Sequence, residues 1–150
     1  MEFKDAQRYL DEVRDMRLLI KKKDEKIAEI RMRMESIGSN VSDERIQTSP
    51  RHDALEMRVI KSIEECKKLE LETLEMLSTY WKMQEVAYNR IMKLKDGKRR
   101  EFLLLYYIDC KSYTEISYMF NHDEESSIYH LRDLAIKYFC DVAEKRKWKL

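Results

Sequence analysis

The sequence predicts an all-α protein: a long, coiled-coil-like antiparallel helical hairpin, followed by a C-terminal group of short helices. Three observations carry this. The 150 residues include two Gly and one Pro, so helix breakers are nearly absent. Charged residues make up 39% of the chain, and they alternate with apolar positions three and four apart. The breaks in that pattern are few, at 38–53 and at Asp96-Gly97.

Residues 2–37 read as one helix. Phe3, Ala6, Leu10, Val13, Met16, Ile20, Ile27, Ile30, Met34 and Ile37 form its stripe, with Lys23 in one slot. The step from Val13 to Met16 breaks the heptad once, which changes the local supercoil without ending the helix. So narrow a stripe needs a partner helix. Gly38 reads as a stop, and the polar segment 38–53 ends at Pro50. A second helix is expected from 53 to about 95. Its broad apolar face holds Ala54, Leu55, Val59, Ile63, Cys66, Leu69, Leu74, Leu77, Tyr80, Trp81, Ala87, Ile91 and Leu94. A second stripe (Ile60, Leu71, Met76, Tyr88, Met92) is expected to meet the C-terminal helices or another subunit. The division into domains falls at 95, with an arm over 1–95 and a C-terminal domain over 96–150.

Helices follow at about 98–109, 112–120 and 125–144. Ser112 with Glu115 reads as a capping box. The helix holding Ile116, Met119 and Phe120 runs into Asn121-His122-Asp123, and a new apolar pattern starts at Ile128. Two short helices around a tight polar turn read as a helix-turn-helix, a unit that lays its second helix in the DNA major groove. Ile116, Phe120, Ile128, Leu131, Ala135 and Ile136 fit its inward face. Ser126, Ser127, Tyr129, His130, Arg132 and Asp133 are left for the outward face, and Ser, Tyr, His and Arg donate hydrogen bonds to phosphates or base edges. Arg132 is the only Arg among them, so a guanine contact rests on it. The acids at 123–125 have a local role, offsetting the positive end of the helix dipole.

Formal net charge is +1, so no overall field drives the chain toward DNA. Residues 93–150 hold twelve Lys and Arg against ten Asp and Glu, clustered at Lys93–Arg100 and Lys145–Lys149. Lys98, Arg99 and Arg100 are the candidates for backbone contacts beside the recognition helix. A helical corner that binds no DNA stays open as the plainer reading.

Segment 98–139, KRREFLLLYYIDCKSYTEISYMFNHDEESSIYHLRDLAIKYF, resembles the helix-turn-helix of region four of bacterial sigma factors. The ERIQTSP loop at 44–50 and the long Glu/Lys/Leu helix after it resemble a family of small phage proteins of Gram-positive hosts, the sigma-region-four-like transcriptional regulators. ArpU-like and RinA-like late-gene regulators are looser relatives. The resemblance covers most of the chain and implies DNA binding in control of phage or prophage transcription. It does not imply a sigma factor, because there is no room for the region that melts a promoter. Two departures stand out: an extra acid in the turn, and no Lys/Arg cluster on the recognition helix.

Other chemistry is missing from the pattern. Two Gly cannot build a phosphate-cradling loop, and His52, His122 and His130 sit in no ligand spacing. Cys66, Cys110 and Cys140 make no CxxC and read as reduced thiols. No enzyme, metal or cofactor is expected. No apolar run reaches the ~20 residues of a membrane span, and MEFKDAQRYLDEVRD is not a signal peptide. A cytoplasmic protein of a bacterial host cell is expected. Its expected partners are double-stranded DNA, RNA polymerase, and a second copy bound through the arm. Two alternatives remain: an adaptor whose helix-turn-helix contacts protein, and a small-terminase-like DNA-packaging component forming a ring.

Overall fold

The computed structural model describes residues 2–43, 50–121 and 125–150, with side chains over 2–36, 53–121 and 127–150. The described residues are helical and contain no strand: α1 (Phe3–Asp43), α2 (Pro50–Met92), α3 (Gly97–Leu103) running into a π-helical turn (Leu104–Ile108), α4 (Tyr113–Met119) and α5 (Glu125–Lys145). No helix among them is long and apolar enough to cross a membrane.

The boundaries correct the sequence reading in three places. Gly38 does not stop α1, which continues to Asp43. An interior Gly costs a helix about 1 kcal/mol, too little to end one by itself. Pro50 opens α2 rather than closing a loop, because a proline at the first helical position gives up an N–H that has no partner there anyway. The segment expected as one helix over 98–109 is α3 plus the π turn. The ERIQT residues and Ser49 of the loop, and His122, Asp123 and Glu124 of the acidic helix start, lie outside the described residues.

The chain forms two compact units, residues 19–78 and residues 1–18 with 79–150. In the first, α1 and α2 run antiparallel. Ile27, Ile30 and Cys66 make its core, with Met34 and Leu69 packed against them. Lys23, the one charge in the α1 stripe, bonds Glu72 at 3.1 Å, and Arg31 pairs with Glu70. The buried Thr73 hydroxyl donates to the Leu69 carbonyl at 2.6 Å, the usual outlet for a hydroxyl inside a helix. Leu74, assigned to the core face by its spacing, is exposed, and so is Ile63.

In the second unit, Ala6, Leu10 and Val13 of α1 and Ala87, Ile91 and Leu94 are fully buried or nearly so. Phe102, Leu103, Tyr107, Ile116, Ile128, Ala135, Ile136 and Phe139 are buried with them. Leu131 is buried as the inward-face reading expects, whereas Phe120 is half-buried and Met119 exposed. Trp81, expected in the core, is also exposed. The unit therefore does not begin at residue 95, because the first turns of α1 and the last of α2 are part of it.

Two arginines of α1 fasten it there. Arg14 Nε donates to the Tyr106 carbonyl at 3.1 Å, and Arg17 donates to the Ile108 carbonyl. A π turn spaces its hydrogen bonds one residue wider than an α-helix, and guanidinium donors reach its carbonyls here. At the other end, Lys147 takes a left-handed φ of 54° and the Trp148 N–H bonds back to Ala143 at 2.9 Å. That C-terminal closure turns Trp148 onto Phe139, with ring centroids 5.6 Å apart.

Candidate functional site

Asp96 caps α3. Its side chain accepts from the Arg99 N–H at 3.1 Å, while the Arg99 Nε lies 3.4 Å from the other carboxylate oxygen. Capping fixes the direction in which Lys98 and Arg99 leave the helix. Both line an open depression between the start of α3 and the early turns of α5, whose wall supplies Ser127, His130 and Leu131. Four residues singled out in the sequence (Lys98, Arg99, Ser127, His130) thus share one concave surface. Their chemistry is that of hydrogen-bond donors, and the one acid among them is engaged in the cap. The Arg99 guanidinium also sits 5.6 Å from the Tyr138 ring centroid, and the Lys98 Nζ 6.0 Å from that of Phe120. These contacts hold two flexible cations near one place.

The other sequence candidates are elsewhere. Arg100 turns back to the chain and donates to the Leu94 carbonyl at 3.2 Å. Arg132 is half-buried and tied to its neighbours. Its Nε and Nη2 meet Asp133 Oδ1 at 3.1 and 3.0 Å, and its Nη1 donates to the Tyr113 hydroxyl at 3.2 Å. Its guanidinium lies over the rings of Tyr129 and Tyr113, 5.3 and 5.9 Å from their centroids. Tyr129, exposed as expected, packs on Tyr113 at 5.0 Å. The Ser126 side chain is outside the described residues.

Sequence reasoning missed an aromatic row. Tyr113 stacks on Tyr106 at 4.6 Å, and Arg14 caps the Tyr106 ring at 4.2 Å. The row therefore runs from α1 through the π turn and α4 to α5. Its members are far apart in the sequence, Arg14 standing 92 positions from Tyr106 and Arg132 standing 19 from Tyr113, so no local spacing points to it. A second missed feature is Tyr118, 86% exposed on α4 beside exposed Met119, Lys111 and Thr114. Among the described residues there is no group of His, Cys, Asp and Glu that could hold a metal ion.

Compared with models of protein families, with curated proteins and with solved structures, the chain shows no match.

Proposed function

We propose that the chain is a sequence-specific DNA-binding regulator of phage or prophage transcription, with no catalytic activity of its own. In this reading α4 and α5 act as a helix-turn-helix, α5 enters the major groove, and the arm serves dimerisation or contact with RNA polymerase. The observation that carries the reading is the gathering of Lys98, Arg99, Ser127 and His130 on one concave surface. Such a surface suits the phosphate backbone, which takes its contacts from cations and small donors. The role given to Arg132 changes with it. A residue bonded to Asp133 and Tyr113 orients α5 and is not free to read guanine. Backbone contacts then carry the affinity, and binding is strongly salt-dependent. The test is retention of duplex DNA across a salt titration, compared with Lys98→Ala/Arg99→Ala.

A protein-binding adaptor is the second reading. It is favoured by Tyr118 and Met119, two large side chains exposed side by side on α4. A stable complex with a polymerase subunit, lost in Tyr118→Ala and formed without DNA, would support it over the first.

A further inference from the structure

In the unit of residues 19–78, α2 has a second face that α1 does not cover. Met57, Ile60, Leu71 and Leu74 are 56%, 50%, 64% and 61% exposed. Met57, Ile60 and Leu71 turn away from Cys66, Leu69 and Thr73, the side packed toward α1, while Leu74 stands at the edge of the strip, where it also borders Asp24, Ile27 and Arg31 of α1. With Glu64 and Lys67 between them they follow a three-four-three-four-three spacing, the seam of a coiled coil. Glu64 and Lys67 are exposed. Ile63, also exposed, borders the strip. It runs about 26 Å along the helix.

We propose that this strip binds a second copy of the same chain, antiparallel, about a twofold axis passing between Glu65 and Cys66. It deepens the arm's role in the function proposed above, and only the biological use of the dimer rests on that reading. The strip reads as its own complement when reversed. Met57 meets the second copy's Leu74, Ile60 meets its Leu71, and Glu64 meets its Lys67, each contact repeated by symmetry as an isologous interface requires. Other registers fail on charge. A parallel pair stacks Glu64 on Glu64 and Lys67 on Lys67. Antiparallel pairs shifted by one heptad set Glu64 against Ile60 or Leu74, leaving a carboxylate without a partner. A charged pair inside an apolar seam is the kind of feature that fixes register and orientation. Lys61 and Lys68 lie along one solvated border, each a turn from Glu65.

The experiment is sedimentation equilibrium of the full chain without DNA, with helicity followed alongside. The wild type is expected to be a dimer. Leu71→Lys, at an exposed position, is expected to be a helical monomer. Glu64→Lys, which gathers four lysines at the axis, is expected to weaken the dimer about tenfold or more, and Glu64→Lys/Lys67→Glu to restore it. A monomeric wild type overturns the proposal, even if it retains DNA and so leaves the proposed function standing. A dimer indifferent to Leu71→Lys, or a double swap that fails to recover what the single change lost, also overturns it.

Discussion

Arg132 on α5 donates to the hydroxyl of Tyr113 on α4 at 3.2 Å while two of its other nitrogens hold Asp133. This arginine, which the sequence offers as a reader of bases, joins two helices instead. Arg132→Ala is expected to destabilise the fold by about 1–2 kcal/mol, through lost charged hydrogen bonds and stacking. Arg132→Lys is expected to recover little of it, since an ammonium cannot fork between two partners. Tyr113→Phe should lose roughly 1 kcal/mol and leave the concave surface of Lys98, Arg99, Ser127 and His130 in place. Denaturant midpoints of the three variants check this. Unchanged midpoints would return Arg132 to the free surface cations.

The capping box at the start of α4 has both its bonds. The Ser112 hydroxyl accepts from the Glu115 N–H at 3.2 Å, and the Glu115 carboxylate accepts from the Ser112 N–H at 3.0 Å. Ser112→Ala is expected to cost about 1 kcal/mol, a large fraction of what a seven-residue helix can contribute. Amide exchange over Tyr113–Met119 should rise with it. Unaltered protection there would mean that packing alone holds the helix.

Arg14 serves the π turn twice, through the Tyr106 carbonyl and over the Tyr106 ring. Arg14→Ala is expected to lower stability by about 1–3 kcal/mol, because it strips a carbonyl of its donor as well as removing the stacking. Arg14→Met, which keeps apolar cover and no donor, should recover only part of the loss. Full recovery by Met would show that the hydrogen bond contributes nothing.

How far the sequence disclosed the structure varies from helix to helix. The α1 stripe is legible: Ala6, Leu10, Val13, Ile20, Ile27 and Ile30 are all buried, because a narrow stripe on a charged helix has one side to bury. In α2 apolar residues surround more than half the helix, so spacing cannot choose which side α1 takes. Spacing puts Leu74 and Trp81 inward, and both lie outward. Ser112 is legible because a capping box is local. The Arg14–Tyr106 contact and the anchoring of Arg132 to Tyr113 join residues 92 and 19 positions apart, and no local pattern announces them. For the same reason Lys98 and His130 can be named separately in the sequence but not paired.

Tyrosines give the fold a pH limit. Burial, first of all, raises Tyr106 and Tyr107 well above the ordinary tyrosine value of 10.0. The hydrogen bond with Tyr113 adds to the shift of Tyr106, and the negative charge of Asp11 to that of Tyr107. A folded-state pKa raised in this way means the unfolded chain releases the proton first. The stability these groups contribute is complete below about pH 10 and is lost as pH rises further. The denaturant midpoint should fall above about pH 10, with tyrosinate absorbance appearing as the chain unfolds. Ordinary titration of every tyrosine with the helices intact would show that these rings are not held as described.

DNA binding is the central claim, and a salt-titrated retention assay on random duplexes and phage genomic fragments tests it most directly. The wild type is predicted to retain duplex at low salt and lose it as salt rises, with a steep dependence. Lys98→Ala/Arg99→Ala, still folded, is predicted to weaken binding about equally on all sequences and to flatten the salt slope by roughly two contacts. No retention by the wild type at low salt, or retention untouched by losing both cations, would contradict the account.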